Sequence, residues 1–152
     1  MSPSAPLRLA INGYGRIGRC FLRALLESSS ASHLQVVAIN EPANLESMAY
    51  LTRYDSTHGR LRGEVETSGS ALAINGRRIE VSHARTPEAV DWRALDIDLL
   101  IESSGGYGRR EELTRFLDAG CPRLLLSHPG FSGDDVDATI VNGINQNCLT
   151  GR

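Results

Sequence analysis

The 152 residues suffice for one domain with a sizeable hydrophobic core, and 41% hydrophobic and 22% charged residues are typical of a folded globular protein. A net charge of -2, without a block of basic residues, argues against a nucleic-acid partner. No apolar run reaches the roughly 18 residues that a membrane span needs, and the polar N-terminus does not resemble a signal peptide. Three widely spaced cysteines, Cys20, Cys121 and Cys148, favour a reducing cytoplasm and are expected to be packing residues rather than zinc ligands or disulfides.

The first elements of the chain follow a strand–helix–strand pattern. An apolar strand at Leu7–Asn12 precedes a helix at Arg16–Glu27, in which Ile17 and Phe21 recur on one face. The next strand, Leu34–Asn40, is nearly all apolar, as expected of a parallel strand that is covered on both faces. These elements predict a right-handed βαβ unit.

The rest of the chain alternates strands and helices around one hairpin. Asn75-Gly76 in "ALAINGRRIEVSH" predicts the hairpin turn, because both residues tolerate positive φ. Helices are predicted at Leu45–Tyr54, Pro87–Leu95 and Arg110–Ala119, and buried strands in "DLLIESS", "PRLLLSH" and "ATIVNGI". The whole pattern predicts an α/β fold, a Rossmann-type doubly wound and mostly parallel sheet with a β-hairpin excursion, over residues 1–152.

Three glycines between the first strand and the first helix have the spacing of a dinucleotide-binding loop. In that motif Gly13 permits the tight turn, Gly15 lets the backbone approach a pyrophosphate, and Gly18 allows close packing of helix and strand. The helix N-terminus offers unpaired N–H groups to phosphates, and Arg16 adds a positive charge there. A tight strand-to-helix turn without any ligand is the alternative interpretation.

An acidic residue, Glu41, directly follows the second strand. From this position a carboxylate can accept a hydrogen bond from the ribose 2′-hydroxyl of a dinucleotide. A carboxylate would repel a 2′-phosphate, so the sequence predicts NAD rather than NADP. Alone, Glu41 would be read as an ordinary surface carboxylate, but together with the glycine loop it favours nucleotide binding.

Five segments, "INGYGRIGR", "VVAINE", "YDSTHG", "LAINGRRI" and "ESSGGYG", together resemble the N-terminal half of the glyceraldehyde-3-phosphate dehydrogenase superfamily. The resemblance extends from Leu7 to Asn145. Within the superfamily it is closer to the erythrose-4-phosphate dehydrogenases, because Glu41 stands where glycolytic members usually have Asp, and because "GYGRREE" and "SHPG" resemble that branch. One departure is "SSGG", residues 103–106, where the superfamily usually has Ser/Cys-Thr-Gly-Val.

The resemblance implies a cofactor site and an activity. It places NAD contacts, beside the glycines, on Asn12, Arg16, Ile17, Glu41, Arg85, Ser104 and Ser127. Arg85 would lie at the adenine end, although a solvated surface arginine is the alternative interpretation. The implied enzyme is a cytoplasmic, tetrameric, NAD-dependent dehydrogenase. It would oxidise D-erythrose 4-phosphate through a cysteine thioester to 4-phosphoerythronate, a precursor of pyridoxal phosphate.

The superfamily's catalytic residues have no counterpart in these 152 residues. Its nucleophile lies in an S-C-T-T-N-C motif, whereas Cys148 lies in "NQNCLTGR" without the flanking threonines. His58 and His128 fall in segments that the family uses structurally, so neither is expected to be the general base. The sequence thus predicts an NAD-binding domain that lacks the C-terminal catalytic domain and is inactive alone. The same domain of a phosphorylating glyceraldehyde-3-phosphate dehydrogenase, or a non-catalytic nucleotide-binding module, are the alternatives.

Overall fold

A seven-stranded, mostly parallel sheet forms the centre of the computed structural model, which describes residues 5–149. In this range the strands are β1 (Leu7–Asn12), β2 (Leu34–Asn40), β3 (Tyr54–Asp55), β4 (Gly59–Arg60), β5 (Val65–Ser68), β6 (Ala71–Ile74), β7 (Arg77–Ser82), β8 (Leu99–Glu102) and β9 (Leu124–Leu126). The large sheet has the order β5-β6-β7-β2-β1-β8-β9, while β3 and β4 pair separately. Strands β7, β2, β1, β8 and β9 are parallel, and β6 runs antiparallel to β5 and β7. This arrangement confirms the predicted fold class.

Three α-helices lie within the described residues, namely α1 (Arg16–Glu27), α2 (Leu45–Arg53) and α3 (Arg110–Asp118). The predicted helix over 87–95 is wrong, because only a 3-10 turn forms at Pro87–Ala89. Val90 is extended, and the Trp92 indole N–H donates to the Pro87 carbonyl at 2.8 Å, which turns the buried Trp92 ring into the core. The chain thus buries the indole of Trp92 here instead of continuing as a helix.

The core occupies both faces of the sheet, as expected for a doubly wound fold. Alternation along β1 directs Leu9 and Ile11 to the face that α1 and α2 cover, and Ala10 to the opposite face. On that opposite face Trp92 and Phe116 pack with ring centroids 6.2 Å apart. The Asn75-Gly76 hairpin is confirmed, with φ values of 51° and 75° at these residues.

The predicted strand in "ATIVNGI" is wrong. The amides of Ile144 and Asn145 both donate to the carbonyl of Val141, which makes a turn where ladder hydrogen bonds would be required. Among residues 5–149, strand β9 pairs only with β8, and residues 138–144 do not extend the sheet beyond it. Val141 and Ile144 are consequently 51% and 79% exposed.

The three cysteines differ in their surroundings. Cys121 is buried, as expected of a packing residue, and burial raises the pKa of its thiol to about 12. Cys20 is half-buried, and Cys148 is exposed, so the prediction that all three are packing residues is wrong for Cys148. Among the described helices, none is long and apolar enough to cross a membrane.

Candidate dinucleotide-binding site

The three glycines of the loop between β1 and α1 have different surroundings. Gly13 has a φ of +88°, and a Cβ there would lie 2.4 Å from the backbone of Ser104. A Cβ at Gly18 would lie 2.4 Å from the carbonyl oxygen of Gly13. Gly15, in contrast, would place its Cβ in open space, with no atom of the described residues within 4 Å. Gly13 and Gly18 are therefore needed for packing, whereas Gly15 leaves room for a ligand.

The N-terminus of α1 begins at this open position. Gly15 is the N-cap residue, it has no side chain that could cap the helix, and the first turn contains no acidic residue. The first amides of a helix have no partner within the helix, so those of Arg16 and Ile17 are available to an anion. Ile17 is 52% exposed, which places it beside this terminus rather than on the buried face where its periodicity had put it.

The side chain of Arg16 does not lie over the glycine loop. Its guanidinium contacts the Asp55 carboxylate at 3.0 and 3.2 Å and the Ser56 hydroxyl at 3.2 Å. The addition of its side-chain charge to a phosphate site stays a prediction, and it would require the guanidinium to move away from Asp55. The backbone N–H of Arg16 remains at the helix N-terminus, where the sequence placed it.

Glu41 lies against the glycine loop from the end of β2. Its Oε2 accepts from the amide of Tyr14 at 2.7 Å, and its Oε1 accepts from the amide of Ala43 at 3.1 Å. Each carboxylate oxygen has two lone pairs, so both can accept a further hydrogen bond from a ligand hydroxyl. The contact with Tyr14 fixes the carboxylate next to the loop, as the spacing of the motif predicts.

A buried polar network connects the ends of four neighbouring strands below the loop. Glu102 is fully buried and accepts from the Asn12 side-chain amide, and from the backbone amide of Ser104 at 2.7 Å. The Asn12 Oδ1 accepts from Asn40 Nδ2 at 2.7 Å, and the Asn40 Oδ1 accepts from the Ser82 hydroxyl at 2.9 Å. Glu102, Asn12, Asn40 and Ser82 are the last residues of β8, β1, β2 and β7, respectively. The network gives the floor of the candidate site a fixed shape.

Sequence reasoning did not identify Ser82, and it also missed the two members that end apolar strands, Glu102 and Asn40. The signal that could have found them is their position. Each is a polar residue at the last position of an otherwise apolar parallel strand, where the carboxyl ends of the strands meet. A buried polar group at that position requires partners, and the neighbouring strand ends are the nearest source of them.

Two further predicted residues lie along the same edge. Ser127 follows β9 and is exposed, and its backbone amide donates to the Glu102 carbonyl at 2.9 Å. Arg85, also exposed, follows β7. The fold therefore brings residues from five adjacent strand ends to the carboxyl edge of the sheet, where open α/β sheets bind ligands.

Comparison with known proteins agrees with this geometry. The family model described as "Glyceraldehyde 3-phosphate dehydrogenase, NAD binding domain" matches residues 7–110. The chain is also 43% identical, over 143 residues, to "Glyceraldehyde-3-phosphate dehydrogenase, plasmid" of Cupriavidus necator. That alignment covers 94% of this chain and 42% of the relative, so the chain spans less than half the length of the relative. This protein belongs to the family of NAD-binding domains of the glyceraldehyde-3-phosphate dehydrogenases.

Proposed function

We propose that the carboxyl edge of the sheet binds NAD with its pyrophosphate over the N-terminus of α1. The observation that carries this proposal is the open space at Gly15, directly in front of an uncapped helix N-terminus. Glu41 would accept from the adenosine ribose hydroxyls, and Ser104 and Ser127 would line the other half of the edge. Arg85 would lie at the adenine end, as the resemblance implies.

We further propose that NAD serves here in the oxidation of a short phosphorylated aldehyde, D-erythrose 4-phosphate, by a dehydrogenase of which this chain is the NAD-binding domain. NAD supplies the hydride acceptor. Support for this substrate comes from Glu41 and from the segments "GYGRREE" and "SHPG", which resemble the erythrose-4-phosphate dehydrogenases. A cytoplasmic location, a role in pyridoxal phosphate synthesis and homo-oligomerisation, as a tetramer in the longer protein, are parts of the same proposal.

Glyceraldehyde 3-phosphate is the second candidate substrate. The observation that favours it is the name of the 43%-identical relative, and the family match is equally consistent with either aldehyde. The two activities differ in whether water or phosphate takes the acyl group from the cysteine thioester. A non-catalytic nucleotide-binding module is the third candidate, since the nucleophile motif is absent from these 152 residues.

Calorimetric titration with NAD and with NADP tests the cofactor site. We expect tighter binding of NAD, because Glu41 would repel the 2′-phosphate of NADP. Tighter binding of NADP would contradict the role given to Glu41. A chain that binds neither dinucleotide would contradict the whole proposal.

Assays of NAD reduction with both aldehydes test the reaction. We expect no turnover by the 152-residue chain, because it has no cysteine in the family's nucleophile motif. Turnover that disappears in a Cys148→Ser variant would refute this expectation. For the protein at the length its own gene encodes, the ratio of kcat/KM for the two aldehydes, with and without phosphate, distinguishes the two substrates.

A further inference from the structure

Three side chains with metal-binding atoms meet on the outer side of α1. They are Cys20 of α1, Asp55 of β3 and His58 of the turn that joins β3 to β4. The thiol sulfur, a carboxylate oxygen and an imidazole nitrogen all lie within 4.8 Å of one another, and Nδ1 of His58 is 3.1 Å from Oδ1 of Asp55. Cys20 is distant in sequence from the other two residues, so the cluster has no recognisable sequence motif. The three side chains come together only in the folded chain.

The carboxylate of Asp55 is already held in a fixed orientation. Its Oδ1 accepts from the backbone amides of Thr57 and His58, both at 2.8 Å. These two hydrogen bonds fix the orientation of the carboxylate beside His58. Within the described residues Oδ2 accepts only from Arg16, and it therefore keeps a lone pair for a cation.

The space beside the cluster also suits a single ion. Cys20 and Asp55 line a cavity of about 10 Å³, which is room for one ion or one water molecule. Cys20 and His58 are half-buried and exposed, respectively, so the cluster is open to solvent. Arg19 and Arg23 also line this cavity, so a cation has to be held against their charges, although the guanidinium groups of Arg16 and Arg23 are paired with Asp55 and Glu27.

We propose that Cys20, Asp55 and His58 form a binding site for a divalent transition-metal ion, with Zn²⁺ as the ion that fits best. Zn²⁺ takes thiolate, imidazole and carboxylate ligands at about 2.0–2.3 Å in tetrahedral geometry, which puts ligand atoms about 3.3–3.6 Å apart. Rotation of the side chains brings atoms that are within 4.8 Å of one another to that separation. A water molecule completes the fourth position.

The site would add to the hydrogen bonds that already join two parts of the fold, those of Arg16 to Asp55 and Ser56 and those of Arg23 to the carbonyls of His58 and Gly59. Cys20 belongs to the helix that begins at the glycine loop, and the other two ligands belong to the β3–β4 turn. The hydrogen bond from Arg16 to Asp55 would then orient the ligating carboxylate toward the metal. Bound metal would hold this turn against α1, independently of whether NAD is present.

Titration of the reduced, chelator-free protein with ZnCl₂ and with CoCl₂, monitored by calorimetry and absorption, tests the proposal. We expect one ion per chain and, with Co²⁺, the thiolate-to-metal charge-transfer band. The Cys20→Ser and His58→Asn variants should each bind at least about 10-fold more weakly, and Cys20→Ser should lose the band. Circular dichroism establishes that both variants are folded, and the near-isosteric serine preserves packing.

Matched controls are available in the same chain. Cys148→Ser removes an exposed thiol, and His33→Asn removes an exposed imidazole outside the cluster, so both should bind like the wild type. The proposal is overturned if Cys20→Ser retains wild-type affinity, if Cys148→Ser is the variant that loses binding, or if no saturable event occurs up to about 1 mM Zn²⁺. Because the readout is metal binding, failure of NAD binding would leave this result unaffected.

Discussion

Replacement of Glu102 by glutamine should destabilise the protein, although the two side chains have the same shape. The reason is the direction of the hydrogen bonds. The backbone amide of Ala84 must donate, so the Asn40 oxygen is its acceptor and the Asn40 nitrogen faces Asn12. The Asn12 oxygen accepts this bond, so the Asn12 nitrogen has to donate to Glu102. The other Glu102 oxygen receives the backbone amide of Ser104, which is also an obligatory donor.

Position 102 must therefore present two acceptors, and a glutamine has only one. Its NH₂ group would face either the Asn12 nitrogen or the Ser104 amide, and one donor would lose its partner. A buried donor without a partner costs about 1–3 kcal/mol of unfolding free energy. For a domain of this size, each kcal/mol lowers Tm by about 2–4 °C, so we expect a fall of about 2–12 °C.

Thermal and urea unfolding of Glu102→Gln measure this loss, with Glu66→Gln on an exposed strand position as the matched control. A second variant makes the test specific to hydrogen-bond direction. Asn12→Asp supplies an acceptor toward both neighbours, so the double variant Asn12→Asp/Glu102→Gln should be more stable than Glu102→Gln alone. Stability of Glu102→Gln within about 0.5 kcal/mol of the wild type would refute the reasoning, as would a double variant that is no more stable than the single one.

Four other predictions concern the glycine loop, the cofactor preference and acid stability. Gly13→Ala should lower the unfolding free energy by about 2–5 kcal/mol, because its φ of +88° and the 2.4 Å contact exclude a Cβ. Gly15→Ala should change stability by less than about 1 kcal/mol but weaken NAD binding at least about 10-fold, as calorimetry would show. Glu41→Gln should reduce the preference for NAD over NADP by about 10-fold in the same titrations, and an unchanged preference would contradict the role of the charge. Hydrogen bonds from Arg115 lower the pKa of Glu88 from 4.5 to about 2. Its contribution to stability is therefore present above pH 4.5 and is lost toward pH 2, and this part of the acid-induced fall in Tm should be smaller in Arg115→Gln.

Local pattern was sufficient for the central sheet, because β1, β2 and β8 are mostly apolar on both faces, which is typical of parallel strands covered on both sides. The start of α1 at Arg16 could also be predicted from local sequence, because the glycine loop directly precedes it. The apolar residues of 138–144 suggested a strand, but the chain turns at Val141 and leaves the outer edge of β9 unpaired within the described residues, because pairing is a property of the whole fold. The Arg16–Asp55 pair was likewise missed, since it joins residues far apart in sequence.

The network and the glycine loop act as one unit, and this explains why the helix N-terminus can remain uncapped. Asn12 precedes Gly13 directly and donates to Glu102, which holds the amide of Ser104, and the Ser104 backbone packs against Gly13. This closed ring of contacts fixes the path of the chain into α1 without any hydrogen bond to the first helical amides. A capping side chain at Gly15 would occupy those amides, as Asn44 does when it accepts from Ser47 at the start of α2. The contacts on the sheet side of the loop therefore determine its conformation, and the first amides of α1 stay available to the ligand.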